Sequence, residues 1–143
     1  MPGIYSGILG SVKQALSSIG LPVVIRKRAI LLEGDSLPLL IVSPSQESIN
    51  LEAFSGIACY DYGVNITLIS AGNRVYEPDV YTWLDLRENV RNQLYKVTLS
   101  GAVSVFDTMI ILSPALEVVS GSTSNYDVAG ITVTYRSLES RIA

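Results

Sequence analysis

Four acidic residues in or beside predicted strands are the side chains that could support hydrolytic chemistry. They are Asp61, Asp107, Glu117 and Asp127. A hydrolase needs paired carboxylates or an activated nucleophile held in a cleft, and nothing in the spacing of these four predicts that they converge. The sequence favours solvated strand faces and loops for all of them, although a small carboxylate-dependent hydrolase is kept as an alternative.

The residue types that most catalytic and metal sites require are scarce. Histidine is absent, which removes the commonest general base near neutral pH and the commonest metal ligand. Cys59 is the single cysteine, so the chain has no internal disulfide, and we predict a small buried hydrophobic residue there. Gly7 and Gly10 lie in a helical pattern and match no phosphate-binding loop. We therefore predict no enzyme activity, no metal site and no cofactor.

Basic residues occur in one short run, Arg26, Lys27 and Arg28, and again at Arg74. The formal net charge is −3, and an acidic chain with one cationic run is a poor match for the phosphate backbone of nucleic acids. We predict that these four residues contact carboxylates of an adjacent subunit or partner. An edge strand protected by its own charges is the alternative.

The composition favours a protein that buries part of its surface against other subunits. Charged residues make up 16% of the chain, against about 25% in typical soluble domains. Obligate interfaces resemble a domain core cut in half, and a large apolar core within one subunit is the alternative. No apolar run approaches the roughly 18 residues that cross a bilayer, and no signal peptide is visible, so we expect a cytoplasmic origin.

A helix over residues 78–96 is the predicted centre of the fold. Its apolar side chains gather on one stripe at helical spacing: Val80, Trp83, Leu86, Val90, Leu94 and Val97. Pro78 suits the first helical position, and Asp79 places negative charge beside the positive end of the helix dipole. Arg87 falls inside the stripe. We expect it to pair with an acid of its own chain or of a neighbouring subunit.

The remaining elements come before and after this helix. Residues 4–19 form a predicted first helix, and residues 23–32 and 37–43 form a predicted β-hairpin around a turn at 33–36. Residues 44–56 are polar and predict a long loop. Strands follow at 58–70, 102–112, 115–119 and 126–139. The strand at 58–70 alternates apolar and polar residues, which predicts a sheet covered on one side only.

This order predicts an α+β fold in a single two-layer domain spanning residues 1–143. The sheet is mostly antiparallel or mixed, and both helices pack on one of its faces.

The chain resembles the tail terminator, or tail-completion, proteins of long-tailed bacteriophages, of the lambda minor-tail-protein-U type. The resemblance covers nearly the whole chain. It rests on the first helix leading into Leu21-Pro22-Val23, on residues 37–44 and 60–69, on the helical segment 84–91, and on residues 133–139.

The resemblance implies a structural virion protein at the head-proximal end of the tail, assembled in the host cytoplasm. Such proteins form a hexameric ring that caps the tail tube, stops its polymerisation and joins tail to head. The implied partners are other copies of the chain, the tube protein and a head–tail connector protein, with no membrane. DNA passes through the ring without specific binding, and the acidic balance of the chain favours a lumen that repels it. Another connector ring, or a small non-enzymatic bacterial binding module, remains an alternative.

Overall fold

The computed structural model describes residues 3–52, 57–72, 75–95, 105–112, 115–120 and 125–140. Two α-helices, one 3₁₀ helix (Ser17–Ile19, directly after the first α-helix) and six β-strands make up this part of the chain. In chain order they are α1 (Ile4–Leu16), β1 (Val23–Ile25), β2 (Leu39–Glu52), β3 (Ile57–Ala71), α2 (Glu77–Tyr95), β4 (Val105–Leu112), β5 (Glu117–Ser120) and β6 (Asn125–Ser140).

All six strands belong to one mixed sheet in the order β1-β2-β3-β6-β4, with β5 also paired to β6. The long strands β3 and β6 run antiparallel from end to end and form its centre. β2 and β4 add antiparallel neighbours, and β1 pairs with β2 in parallel. The predicted α+β class with a mixed sheet is therefore confirmed.

Both helices cover the same face of the sheet, which we call the inner face. Every second residue of β3 and β6 points to it, as the alternation in 58–70 predicts. The buried core there includes Ile8, Val12, Leu16, Leu40, Val42, Val64, Ile66, Val90, Leu94, Val133 and Tyr135. The two-layer arrangement follows from this one shared core.

The opposite, outer face carries a second and smaller cluster, so the prediction that only one side is covered was wrong. Leu39, Ile41 and Ile69 are buried on this face. Leu31 and Leu37, from the segment between β1 and β2, pack over them. This segment therefore covers part of the outer face.

The predicted hairpin between residues 23–32 and 37–43 is also wrong. β1 ends at Ile25 and pairs with β2 in parallel, with Val23 opposite Leu40. The thirteen residues 26–38 between the two strands are a connection that crosses the outer face rather than a tight turn. Local β propensity was read correctly at residues 23–25, but strand direction depends on distant partners.

The predicted loop at 44–56 is instead largely strand, because β2 continues to Glu52; residues 53–56 lie outside the described part of the chain. Its ladder with β3 shifts register between Pro44 and Glu47, which lie opposite Val64 and Tyr62. Two residues of β2 thus oppose the single residue Gly63, the signature of a β-bulge.

The central helix α2 has nearly the predicted bounds, but its apolar stripe is shorter than the sequence suggests. Val90 and Leu94 are buried, and Trp83 is half-buried against the inner core. Val80, by contrast, is 47% exposed. Val97 lies outside the described residues. The N-terminal half of α2 therefore leaves apolar surface uncovered.

Candidate subunit-interface surfaces

Residues 26–35, which we call the basic loop, are held in shape by an ion pair between their two ends. Nη1 of Arg26 donates a hydrogen bond of 2.7 Å to Oδ2 of Asp35, and Nη2 donates one of the same length to Oδ1. Nη1 of Arg26 also donates to the carbonyl oxygen of Ile30 at 2.8 Å. A bidentate arginine–carboxylate pair of this kind combines electrostatic attraction with a fixed geometry. Arg26 therefore fixes the loop within its own chain.

Asp35 adds backbone contacts to this clamp. Its Oδ2 accepts a hydrogen bond from the backbone N–H of Leu32 at 2.7 Å, and its own N–H donates to the Leu32 carbonyl at 3.1 Å. Hydrogen bonds from Arg26 lower the pKa of the Asp35 carboxyl from 3.8 to about 2. Gly34 supplies the left-handed turn, with φ of 90°. Side chain and backbone together define one loop shape.

The clamped loop exposes two cations and two apolar side chains. Lys27 and Arg28 are exposed, and no ion pair involves either of them among the described residues. Ile30 and Leu32 are 42% and 56% exposed. A fixed loop with both charge and apolar area outward is suited to a protein–protein contact.

A second surface lies on the inner face, in a cleft between α2 and β5 with a volume of about 420 Å³. Trp83 lines this cleft and donates a hydrogen bond of 2.7 Å from Nε1 to the carbonyl oxygen of Ala115. This bond ties the helix to the segment that leads into β5. Exposed apolar side chains surround the opening: Val75, Val80, Leu84, Leu116 and Val118. We call this surface the α2–β5 cleft.

Two carboxylates line the α2–β5 cleft. Asp79, in the first turn of α2, accepts a hydrogen bond of 3.1 Å from the backbone N–H of Tyr76, the residue before the helix, as the third helical residue of a capping box does. Asp127 lies opposite Val118 in the β5–β6 ladder, and burial raises the pKa of its carboxyl. No ion pair reaches either carboxylate among the described residues. The cleft is therefore apolar and acidic.

The edge strand β4 is a third uncovered surface. Met109 and Ile111 are 44% and 59% exposed, and Leu112 is exposed beside them. Within the described ranges, β4 pairs only with β6, so its other side faces no strand there. Exposed apolar edges invite pairing or association.

The four candidate carboxylates do not gather into one site. Asp61 and Asp107 lie opposite Arg136 from the two neighbouring strands, and Asp61 forms an ion pair with it at 3.3 Å. Asp127 lies at the other end of β6, and Glu117 is exposed at the start of β5. Across the described ranges no group of three or more acidic or cysteine residues could hold a metal ion.

The predicted interface residues are thus placed apart. Lys27 and Arg28 lie on the basic loop, whereas Arg87 is half-buried on α2 at the other face. Arg74 lies outside the described residues. Contacts of these residues with a neighbour remain predictions. Sequence reasoning missed the α2–β5 cleft, because Leu116 and Val118 have the pattern of ordinary strand residues. The cleft is marked only by the exposure of Val80, which the structure shows.

Comparison with known proteins adds no family assignment: no family model matches the chain, and no curated protein matches it. Among the described residues, neither helix is long and apolar enough to span a membrane.

Proposed function

We propose that this chain is a structural protein of a tailed bacteriophage that assembles into a ring, with a hexamer expected from its resemblance to tail terminators. The ring caps the tail tube, ends its polymerisation and joins the tail to the head. One observation carries the assembly part of this proposal. Two exposed surfaces of interface composition, the basic loop and the α2–β5 cleft, lie on opposite faces of the same sheet.

Surfaces on opposite faces favour head-to-tail contacts. A two-fold dimer uses one self-complementary patch on both subunits, whereas contact between two different patches produces a ring when the rotation closes. Uncovered apolar side chains on the inner face and on β4 supply the area that such contacts bury. The low charge content of the chain agrees with this use of its surface.

A structural role also accounts for the scattered titratable residues. Asp61 is engaged with Arg136, and Asp79 caps α2, so each has a structural partner. The partners in this role are further copies of the chain, the tube protein and the connector protein at the head. The protein then belongs to the head-proximal end of the tail, and DNA passes through the ring.

Two measurements test the proposal. Light scattering after size-exclusion chromatography, with negative-stain microscopy, is expected to show closed rings of the purified chain, alone or on tubes of the tail tube protein from the same phage. Addition of the chain to polymerising tube protein is expected to yield shorter tubes with capped ends. A chain that stays monomeric at high concentration and leaves tube length unchanged would contradict the proposal. Capture of the connector without an effect on tubes would instead indicate a connector ring.

A further inference from the structure

We infer that the basic loop of one copy binds in the α2–β5 cleft of the next copy around the ring. The inference rests on the proposed function, since it specifies the contact by which the ring is built. It assigns Lys27 and Arg28 to the carboxylates of Asp79 and Asp127 of the adjacent copy.

Charge complementarity is the first argument. The cleft holds two carboxylates without an ion-pair partner among the described residues, and one of them is disfavoured in its charged form by burial. A carboxylate in apolar surroundings is stabilised by a cation that enters with it. Lys27 and Arg28 are two neighbouring cations that are exposed and have no ion pair in the same part of the chain.

Apolar complementarity is the second argument. Ile30 and Leu32 on the loop and Leu116 and Val118 at the cleft are all at least 42% exposed. Isolated exposed apolar residues are ordinary, but these lie beside cations on the basic loop and beside carboxylates at the α2–β5 cleft. Docking would bury both apolar sets while it pairs the charges. The aromatic ring of Trp83, which lines the cleft, offers a further favourable surface for a cation.

The shape of the loop is the third argument. A flexible loop loses conformational entropy when it binds, whereas a loop already fixed loses little. Arg26 and Asp35 fix the basic loop through hydrogen bonds, and Lys27 and Arg28 within it stay exposed. The loop is thus prepared for binding before any partner arrives.

We assign the partner to a second copy, because the basic loop is packed on the outer face of its own sheet, whereas the cleft lies on the inner face. Leu31 anchors the loop on the outer face, over Ile41 and Ile69, whereas Trp83 packs on the inner core. The sheet lies between these two anchor points. Each copy therefore offers one loop to one neighbour and one cleft to the other.

Cysteine cross-linking tests the pairing directly. Leu32→Cys and Val118→Cys are prepared separately in a Cys59→Ala background, both at exposed positions. Mixing the two variants under mild oxidation is expected to give a disulfide-linked dimer, which neither variant gives alone. Lys13→Cys, at an exposed position of α1, replaces Leu32→Cys in the control mixture and is expected to give at least tenfold less dimer. Equal yields from both mixtures would overturn the inference.

A charge-reversal experiment gives an independent readout. Lys27→Glu with Arg28→Glu is expected to shift the ring to monomer, and Asp127→Lys is expected to do the same. Mixing these two variants is expected to restore rings in which they alternate, and combining all three changes in one chain is also expected to restore the ring. Lys13→Glu controls for reversal of a surface charge away from the basic loop and is expected to leave assembly unchanged. Circular dichroism of each variant checks that the monomer remains folded.

The outcomes separate this inference from the proposed function. Rings that persist in both charge-reversed variants and cross-link no better through Leu32→Cys than through Lys13→Cys would overturn the docking contact and leave the ring function standing. Absence of any assembly of the unmodified chain, with or without tubes, would overturn the function itself. Restoration of rings by the triple change would support both.

Discussion

The guanidinium of Arg26 and the carboxylate of Asp35 form two hydrogen bonds of 2.7 Å across a connection of ten residues. Their side chains are only 19% and 14% exposed, so the pair is more sheltered than a typical surface ion pair. It closes the basic loop over the outer face of the sheet, where Leu31 is anchored. Two residues distant in sequence thus determine how Lys27 and Arg28 are presented.

Removing the clamp is expected to loosen the loop without unfolding the domain. Asp35→Asn takes away the charge that holds Arg26 and weakens the contact with the Leu32 N–H. Trypsin cleaves after lysine and arginine, so cleavage at Lys27 and Arg28 is expected to become at least fivefold faster. Mass spectrometry of timed digests measures this rate.

The matched control removes an ion pair that lies on the surface of a helix and makes no contact with the basic loop. Arg91→Gln removes the 3.4 Å contact with Glu88 on the surface of α2. Its rate of cleavage at residues 27 and 28 is expected to equal that of the unmodified chain. Similar acceleration in both variants would show that general destabilisation, not the clamp, controls cleavage.

The same pair makes loop stability depend on pH. The pKa of Asp35 falls from 3.8 to about 2 in the folded chain because Arg26 donates hydrogen bonds to its carboxylate. A depressed folded pKa contributes stability that is present in full above the unfolded value and is lost as pH falls through the folded value. We therefore expect the contribution to persist above about pH 4 and to disappear near pH 2.

Nuclear magnetic resonance of the Asp35 side-chain carboxyl carbon measures this directly. The titration midpoint is expected near 2 in the unmodified chain and several tenths of a unit or more higher in the Arg26→Gln variant. Identical midpoints in the two proteins would show that Arg26 is not the cause of the shift.

The β-bulge in β2 requires a glycine opposite it. A Cβ atom placed on Gly63 would lie 2.7 Å from the carbonyl oxygen and 3.0 Å from the nitrogen of Gln46, both backbone atoms that cannot rotate away. Gly63→Ala is therefore expected to lower the free energy of unfolding by about 1–3 kcal/mol, the usual cost of overpacking. Urea denaturation followed by circular dichroism measures the change.

Gly10→Ala is the matched control for Gly63→Ala. Gly10 is exposed within α1, and nothing lies within 4 Å of an added Cβ atom. Alanine favours the helix over glycine by roughly 0.5–1 kcal/mol, so this substitution is expected to raise stability. A fall of equal size in both variants would count against the bulge as the reason for Gly63.

The local sequence pattern predicted the elements whose side chains alternate or repeat on one face. It failed where pairing with a distant strand determines whether a segment is a strand and in which direction it runs. Residues 58–70 became β3 and residues 78–96 became α2 almost unchanged. The segment 44–52 contains Pro44 and many polar residues, which are typical of loops. This segment is strand because its backbone pairs with β3, and the β-bulge opposite Gly63 accommodates the extra residue of β2.

For the candidate interface too, the sequence showed the residue types but not the long-range contacts that place them. The cationic run at residues 26–28 was visible in the sequence, but the ion pair between Arg26 and Asp35 was not, since the two residues are nine positions apart. The exposure of Val80 depends on how the N-terminal half of α2 lies against β5 and β6, which periodicity does not encode. Asp127 was named as an acidic residue beside a strand. Its position in the α2–β5 cleft follows only from the pairing of β5 with β6.

Two tyrosines of the inner core differ in how their hydroxyls are satisfied, and this difference predicts opposite effects of the same substitution. Tyr135 is fully buried, and its hydroxyl has no hydrogen-bond partner among the described residues. Tyr62 is also buried, but its hydroxyl donates a hydrogen bond of 2.6 Å to Glu139. Burial raises the pKa of both side chains, so both are neutral and protonated at pH 7.

Tyr135→Phe is expected to raise the free energy of unfolding by about 1 kcal/mol, because it removes a buried polar group that gains no hydrogen bond. Tyr62→Phe is expected to lower it by about 1 kcal/mol or slightly more, because the bond to a charged acceptor is lost. Urea denaturation of both variants at pH 7 measures the two changes. A loss of stability in Tyr135→Phe comparable to that in Tyr62→Phe would mean that the Tyr135 hydroxyl has a partner, for which a buried water is the natural candidate.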